Sequence, residues 1–393
     1  MKIVVYCQHV LGVGHLFRTI EICKAMAGHE VILALGGPRI EAELPAHVSI
    51  VQLPYLQMDP EFKELFGSDK AASLDQIRKK RKKTLLALIK KERPHIFLVE
   101  LYPFGRKAFR YELDPVLEEI RSRPSLRCGV ISSVRDILVE KEDQQRHEGR
   151  ALEMLNRYFD AVVIHADPGV VTLDETFFRF SEINIPVVYT GYIAQKPPDG
   201  ARGSIRKQLG IKEEEPLIVA SAGGGSVGKP LLEAVIRAFS RLKIKTRAHL
   251  RVYTGPFISG NDFVALRRLK NSARNIHMEK FAADFLSLLA AADLSISMAG
   301  YNTTMNILTS GVPALVWPFA QNSEQRLRAR RLADLGALKL IDDEDLVPGN
   351  LARLMRKTLA SSGLKKIEID LNGAAHTVRW LESWSVSCPQ KML

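Results

Sequence analysis

Three loops in the sequence combine glycines with side chains that bind anions or move protons. In the first, Gly12, Gly14 and His15 follow a β-branched run and precede a predicted helix that carries Arg18. Glycines let a backbone approach its ligand, a helix start offers unpaired N–H groups to an anion, and an imidazole can accept a proton near neutral pH. His15 is therefore the first candidate base, with a helix-bracing histidine as the alternative. A dinucleotide fingerprint is not predicted, because Phe17 stands where its third glycine belongs.

The second loop contains the consecutive glycines 223–225, followed by Ser226, and opens another helix. It nearly matches the phosphate loop of nucleoside triphosphatases, but Pro230 occupies the place of the hydroxyl that would hold magnesium. The pattern predicts an anion cradle at a helix start, formed by Gly224, Gly225 and Ser226 and suited to a diphosphate. A tight turn without a ligand is the alternative.

The third loop follows a predicted strand at 294–297 and opens a helix, and a Gly-Val-Pro turn then leads to a further strand and a further helix. The polar or small residues at these two helix starts are Gly300, Asn302, Thr303, Thr304, Glu324 and Gln325. Polar groups on consecutive loops over one sheet edge predict a pocket for a polar, phosphorylated ligand.

Charged residues also follow predicted strands in the N-terminal half, namely Glu100, Arg106, Arg135 and Asp136. Their positions predict that they line the same edge as His15. Glu100 and Asp136 are further candidate bases, and for each the alternative is a salt bridge to a nearby arginine.

The elements that must position these residues alternate between strands and helices. The chain has 393 residues, more than one α/β core usually holds, so two domains are expected. Predicted strands lie at 3–6, 31–35, 50–53, 96–99, 129–132, 161–164, 187–189, 217–220, 249–253, 275–278, 294–297 and 314–317. The alternation predicts an α/β fold of two Rossmann-like, mostly parallel sheets. We expect domains at 1–194 and 195–370, a linker over 195–203, and a last helix within 371–393 that returns to the first domain.

The formal net charge of +12 favours an anionic partner. Its densest part is the run from Arg78 to Lys83, six cations beside apolar residues at helical spacing, which predicts a basic amphipathic helix. This helix either contacts an anionic membrane surface or is simply a solvated helix face. Binding of nucleic acid by the helix is not favoured. The four cysteines have no metal-site spacing, and neither a signal peptide nor a membrane span is recognised, so a cytoplasmic protein is expected.

In order and spacing, these motifs resemble the MurG-type branch of the GT-B glycosyltransferases, family 28. The resemblance rests on the Gly-x-Gly-His loop, the Gly-Gly-Gly-Ser loop, the Ala-Gly turn before Thr303, and the Gly-Val-Pro and Glu-Gln segments. It extends over nearly the whole chain. It implies two domains facing a central cleft, a C-terminal domain that binds a UDP-sugar and an N-terminal domain that binds the acceptor.

The resemblance also implies roles for single residues. The donor set comprises Gly224, Gly225, Ser226, Phe281, Gly300, Asn302, Thr303, Thr304, Asn306, Glu324 and Gln325, and the acceptor set comprises Gly12, Gly14, Arg18, Arg106 and Arg135. Phe281 stands where the family begins a short helix beside the uracil. Asn306 stands where the family has an acidic residue that binds the ribose, and an amide accepts through one oxygen only.

The reaction implied is metal-independent, inverting transfer of N-acetylglucosamine or another hexose to a hydroxyl, with His15, Asp136 or Glu100 as the base. No cofactor is expected, since the UDP-sugar is a substrate, and no Asp-x-Asp pair suggests a metal site.

A UDP-sugar hydrolase is an alternative, because the string from Gly14 through His15 to Arg18 also resembles the PseG-type enzymes. An epimerase and a nonenzymatic nucleotide-sugar or anionic-lipid binding protein are further alternatives. The acceptor is open: a lipid-linked sugar at the inner membrane face, a soluble sugar, an aglycone or a polysaccharide end.

Overall fold

The computed structural model describes residues 1–8, 14–37, 44–58, 65–67, 73–139, 142–242, 244, 246–270, 275–319, 321–361 and 367–387. The chain divides into two compact units. The first unit comprises Met1–Ile193 with Asp370–Leu393, and the second comprises Ala194–Ile369. These bounds differ by one residue from the boundaries expected from the sequence.

The strands of the first unit form a parallel sheet and a separate hairpin. In chain order they are β1 (Lys2–Cys7), β2 (Glu30–Leu35), β3 (Val48–Gln52), β4 (Leu56–Met58), β5 (Leu65–Gly67), β6 (Ile96–Glu100), β7 (Gly129–Arg135), β8 (Ala161–His165) and β9 (Val187–Tyr189). Seven of them form the sheet, in the order β3-β2-β1-β6-β7-β8-β9, and every pairing is parallel. β1, β6 and β8 are almost completely buried, as their continuous apolar runs predict for a sheet covered on both faces.

Four helices connect these strands: α1 (Gly14–Ala25), α2 (Leu74–Glu92), α3 (Arg110–Ser122) and α4 (Gln144–Tyr158). α2 begins with a capping box in which Ser73 and Gln76 bond each other's backbone N–H groups. It contains the basic run, so the predicted helix is present. One member of that run was misjudged, because Arg81 is fully buried.

The second unit repeats the architecture with strands β10 (Leu217–Ser221), β11 (His249–Tyr253), β12 (Ile276–Glu279), β13 (Leu294–Met298), β14 (Ala314–Trp317) and β15 (Lys339–Leu340). They form one parallel sheet in the order β12-β11-β10-β13-β14-β15. Its helices are α5 (Ala201–Leu209), α6 (Lys229–Phe239), α7 (Gly260–Lys270), α8 (Phe285–Ala291), α9 (Tyr301–Ser310), α10 (Ser323–Asp334) and α11 (Pro348–Ala360). The linker predicted over 195–203 is therefore shorter than expected, since α5 already begins at Ala201.

The last helix, α12 (Gly373–Ser387), packs into the core of the first unit. Val378, Leu381 and Trp384 belong to the same apolar cluster as residues of β1 and α1. Asn372, just before the helix, pairs with Ile193 in an isolated antiparallel bridge.

The two parallel sheets confirm the predicted fold class. The hairpin of β4 and β5 and the two-residue strand β15 were not predicted, because runs of two or three residues give no periodic signal. Within the described ranges, no helix is both long and apolar enough to cross a membrane.

Candidate active site

Both units place their candidate loops where the strand order of the sheet reverses. In the first unit, β1 and β6 are neighbours at this switch point, so His15, just after β1, lies beside Glu100, the last residue of β6. In the second unit, β10 and β13 are neighbours, so the glycine loop after β10 lies beside Gly300 after β13. Parallel α/β sheets bind ligands at the carboxyl ends of strands at such points.

Glu100 is the centre of a buried ionic cluster in the first unit. Its Oε1 lies 2.6 Å from Nδ1 of His15 and accepts a hydrogen bond from Nη2 of Arg18 at 2.7 Å. Its Oε2 accepts from Nη2 and Nε of Arg106 at 2.7 and 3.1 Å. Glu100 is only 2% exposed, so this carboxylate is neutralised by protein groups rather than by water. The structure thus brings together His15 and Arg18 of the first loop with Glu100 and Arg106, which were predicted to line the same sheet edge.

The backbone after β6 bends back tightly to deliver Arg106 to this cluster. Leu101 and Arg106 both adopt left-handed conformations, with φ of 62° and 60°. Gly105 N–H donates to the carbonyl of Leu101 at 2.7 Å, which closes the turn. Left-handed backbone costs about 1 kcal/mol or more for a residue with a side chain, and such strain collects at functional sites.

The protonation states in the cluster follow from burial and charge. Burial lowers the pKa of His15 to about 4, although the Glu100 carboxylate opposes this shift. Burial disfavours the ionised form of Glu100, but the charges of Arg106, His15 and Arg18 outweigh that effect and hold its pKa well below the usual range. At neutral pH, Glu100 is a carboxylate and His15 is a neutral imidazole that donates its Nδ1 proton to it.

This arrangement leaves Nε2 of His15 with a lone pair. Among the described residues none hydrogen-bonds to that nitrogen, and the His15 side chain is 24% exposed. An imidazole whose Nδ1–H is held by a carboxylate is oriented to accept a proton at Nε2.

The described ones among the remaining predicted residues of the first unit lie around the same sheet edge. Gly14 is the first residue of α1, and Gly12 falls outside the described residues. Arg135 ends β7, the neighbour of β6, and Asp136 follows it and is fully buried. Their roles as acceptor contact and alternative base stay predictions.

A second buried polar cluster, which the sequence did not reveal, lies two strands away. His165 at the end of β8 is fully buried, with Nε2 2.8 Å from Ser133 Oγ and Nδ1 3.0 Å from Thr190 Oγ1. Thr377 of α12 donates to the carbonyl of Gly373 at 2.7 Å and lies 3.1 Å from Thr190 Oγ1. Burial, with the charge of Arg18, lowers the pKa of His165 to about 3, so it is neutral.

In the second unit, the glycine loop after β10 packs backbone to backbone against the loop after β11. A Cβ on Gly225 would lie 2.4 Å from the Thr254 carbonyl oxygen, and a Cβ on Gly255 would lie 2.4 Å from the Gly225 nitrogen. Gly225 and Gly255 also have positive φ, 90° and 87°. Gly224 accepts a hydrogen bond from Phe257 N–H at 2.9 Å. Part of the glycine pattern is therefore required by the fold itself.

Gly300 differs from these glycines because nothing in its surroundings requires it. Its φ of −62° and ψ of 143° suit any residue, and a Cβ built on it meets no atom within 4 Å. It is the N-cap of α9, and Asn302, Thr303 and Asn306 lie half-buried beyond it. Thr304 is buried, and its hydroxyl donates to the Gly300 carbonyl at 3.0 Å. This proton is therefore used in a hydrogen bond within the helix.

The residues predicted to contact the donor sugar begin α10. Asn322 caps this helix by accepting from Gln325 N–H at 2.9 Å. Glu324 is buried and accepts from Nη2 of Arg328 at 2.7 Å, and that guanidinium stacks 5.1 Å from the Tyr301 ring centroid. Glu324 thus joins α10 to the start of α9. Phe281, the residue predicted beside the base, follows β12 and is 67% exposed.

No group of three or more His, Cys, Asp or Glu that could hold a metal ion occurs among the described residues.

Comparison with known protein families finds a similarity within the second unit. Residues 220–369 match the model of the glycosyltransferase family 28 C-terminal domain. These residues are similar to that domain, and we call them the family 28 segment. The family 28 segment contains every donor residue predicted from the sequence, from Gly224 to Gln325.

Several curated relatives align with the chain in part. A UDP-N-acetylglucosamine–N-acetylmuramyl-(pentapeptide) pyrophosphoryl-undecaprenol N-acetylglucosamine transferase of Carboxydothermus hydrogenoformans is 32% identical over 162 residues, 39% of this chain and 42% of that protein. An uncharacterized glycosyltransferase of Methanopyrus kandleri is 22% identical over 58% of this chain and 62% of its own. The chain spans about half the length of the curated relatives it matches.

Solved structures align over almost the whole chain. CalG4, the calicheamicin glycosyltransferase, has a TM-score of 0.62 and 13% identity, with 98% of both chains covered. MurG of Acinetobacter baumannii has a TM-score of 0.58 and 18% identity, covering 98% of this chain and 100% of its own. At these identities the likeness establishes the fold, which is the GT-B fold of two parallel-sheet domains.

Proposed function

We propose that the protein transfers a hexose, N-acetylglucosamine in the first instance, from a UDP-sugar to a hydroxyl acceptor with inversion at the anomeric carbon. The observation that carries this proposal is the contact between His15 Nδ1 and Glu100, which holds a neutral imidazole with Nε2 ready to accept a proton. The family 28 segment and the relatives named as N-acetylglucosamine transferases support the choice of donor.

In the proposed reaction, Nε2 of His15 takes the proton of the acceptor hydroxyl. The acceptor oxygen forms a bond to the anomeric carbon while the bond from that carbon to the β-phosphate oxygen breaks, and UDP leaves with the electron pair. The resulting imidazolium is stabilised by the Glu100 carboxylate 2.6 Å away. General base catalysis of this kind contributes about 10²- to 10⁴-fold in rate.

The leaving diphosphate needs compensation for its charge. The second unit supplies it from two helix starts: the glycine loop before α6, and Gly300 before α9. Backbone N–H groups and the helix dipole stabilise an anion at such ends without a metal ion. Lys229 at the start of α6 contributes less than its position suggests, because Asp262 pairs with it at 2.7 Å.

For the acceptor, we propose a lipid-linked sugar at an anionic membrane surface. Relatives are named for transfer to a pyrophosphoryl-undecaprenol acceptor. In this chain, Lys79, Lys80, Lys82 and Lys83 of α2 are exposed, whereas Arg81 is buried. Exposed lysines near an anionic bilayer contribute about 1 kcal/mol each to binding, and salt weakens that attraction.

The acceptor proposal predicts a specific loss of vesicle binding. Replacing the four exposed lysines of α2 by glutamine should reduce binding to phosphatidylglycerol vesicles at low salt. The control replaces Lys207, Lys212, Arg267 and Arg268, exposed cations of the second unit, in the same way. Equal binding by the two variants would show that α2 makes no special contribution, and the membrane proposal would fail.

The reaction itself is tested by separating the nucleotide and sugar products from UDP-N-acetylglucosamine with and without a polyprenyl-pyrophosphate-linked sugar. The proposal expects UDP release that depends on the acceptor. Free N-acetylglucosamine without an acceptor would instead identify a hydrolase, for which Arg18 beside His15 is the relevant feature, and a changed UDP-sugar would identify an epimerase. Saturable UDP binding with no turnover of any kind would indicate a binding protein.

A further inference from the structure

Three large apolar side chains are exposed together at the carboxyl edge of the second unit's sheet. Val227, Phe257 and Phe281 are 40%, 63% and 67% exposed and follow β10, β11 and β12, which are consecutive neighbours. Single exposed apolar residues are common, but three of them on the loops that follow neighbouring strands, beside a polar loop, indicate a binding surface. Only Phe281 has a role suggested by the family resemblance.

Phe257 is fixed directly on the glycine loop. Its N–H donates to the Gly224 carbonyl at 2.9 Å, and its Cδ2 would lie 3.6 Å from a Cβ built on Gly224, so one edge of the ring lies beside the side-chain position of that glycine. The close packing of Gly225 on Gly255 holds the two loops together. The ring is therefore attached to the part of the site expected to face the donor diphosphate.

Two further contacts connect the loop that carries Phe257 to its neighbours. Asp262, in the first turn of the helix that follows its loop, pairs with Lys229 at 2.7 Å. Gly255 N–H donates to the carbonyl of Lys280 at 2.9 Å, one residue before Phe281. The loops bearing the two rings are thus bonded to each other and to the glycine loop. A preorganised aromatic ring loses little entropy when a ligand stacks on it.

We propose that Phe257, beside Phe281, forms an aromatic platform for the base of the donor nucleotide. The inference rests on the proposed donor site in the second unit and adds a residue that determines its affinity. Stacking on an aromatic ring is tolerant of base identity, since every base has a π-face, and each stacked base contributes about 1–3 kcal/mol, equivalent to roughly 5- to 150-fold in affinity.

This platform would also offset the weaker ribose contact that Asn306 offers. An amide at that position accepts from the ribose hydroxyls through one oxygen, so it binds them less tightly than a carboxylate. An additional exposed ring at the base offsets a weaker ribose contact. The donor would then be held more through its base and diphosphate than through its ribose.

The test is calorimetric titration of the full chain with UDP, GDP and TDP, comparing Phe257→Ala, Phe257→Leu and Phe257→Tyr. Phe178→Ala is the matched control, because Phe178 is 76% exposed on the first unit. The proposal expects the alanine and leucine variants to lose about 5- to 150-fold in affinity for the best-bound nucleotide. The tyrosine variant and the control should keep wild-type affinity.

Leucine separates stacking from packing, because it keeps the apolar bulk and removes the π-face. Full affinity in Phe257→Leu, or in Phe257→Ala, would overturn the inference and leave the proposed transferase intact. Absence of nucleotide binding by the wild type would remove the proposed donor site and the inference with it.

Discussion

Glu100 Oε1 lies 2.6 Å from Nδ1 of His15, although the two residues are 85 positions apart in the chain. Because Arg18 and Arg106 keep Glu100 ionised, the carboxylate has no proton to give and holds the imidazole in the tautomer that carries its proton on Nδ1. The contact decides which atom of the cluster can accept a proton. It makes His15 the base in our account and Glu100 a positioning residue.

We expect His15→Ala to reduce kcat for UDP release by about 10²- to 10⁴-fold while the UDP dissociation constant stays unchanged. Glu100→Gln should also reduce kcat more than it changes KM, because the amide no longer stabilises an imidazolium.

The kcat of the wild type should be constant from pH 5 to 9 and fall as His15 becomes protonated near pH 4. Asp136→Asn is the comparison, and a larger loss there than in His15→Ala would assign the base to Asp136.

Two histidines that are neutral in the folded protein, His15 and His165, predict an acid-sensitive first unit. The pKa values of His15 and His165 are about 4 and 3 in the folded protein, whereas unfolded histidines titrate near 6.5. Between these values the unfolded state binds more protons, so the free energy of unfolding decreases as pH falls below 6.5, by at most about 1.4 kcal/mol per pH unit for each histidine.

Urea unfolding of the wild type and of His165→Gln between pH 6.5 and 5 checks this second prediction. The glutamine variant should show a shallower dependence of the unfolding free energy on pH, whatever its stability at pH 7. An unchanged slope would mean that His165 does not titrate differently in the folded and unfolded states.

Replacement by alanine should affect stability at Gly225 and UDP binding at Gly300. Gly225→Ala places a Cβ 2.4 Å from a backbone oxygen at a positive φ, so it should lower the thermal midpoint of the second unit. Gly300→Ala meets no steric obstacle and should leave the thermal midpoint unchanged, yet weaken UDP binding, because the methyl group occupies the space before the start of α9. Unchanged UDP affinity in Gly300→Ala would argue against a donor that approaches this turn.

Arg81 and Lys83 both belong to the basic run of α2 but differ in their expected contributions to stability. Arg81 donates to both carboxylate oxygens of Glu112 at 2.6 and 2.7 Å and to the carbonyls of Gly36 and Pro54, and it is fully buried. Arg81→Met leaves the buried Glu112 carboxylate without its positive counter-charge and should cost about 3–5 kcal/mol in the free energy of unfolding. Lys83→Met, at an exposed position, is the matched control and should change stability little. Similar urea midpoints for the two variants would contradict this assignment.

The sequence predicted the fold well because several main strands contain continuous β-branched runs between helical stretches, as in β1 and β8. It also predicted that Glu100 and His15 would share a sheet edge. The particular contact between them depends on the pairing of β1 with β6, and a single sequence carries no signal for which strands become neighbours.

Two other features were missed for different reasons. Arg81 lies at helical spacing with Ile77, Leu85 and Leu88 on the buried face, so the signal was present but hidden within a run of six cations. The His165 cluster joins β7, β8, the residue after β9 and α12, and nothing local in the sequence indicates that these segments meet.

The proposed donor site requires that the family 28 segment binds a nucleotide and that Asn306 stands in this site in place of an acidic ribose contact. Calorimetric titration of UDP into the wild type and into Asn306→Glu tests it most directly, with UDP-N-acetylglucosamine, GDP and TDP as further ligands. Our account predicts saturable binding of UDP that strengthens in the glutamate variant, because a carboxylate accepts from both ribose hydroxyls. Absence of binding by any of these nucleotides in both proteins would contradict the donor site and the proposed transfer reaction.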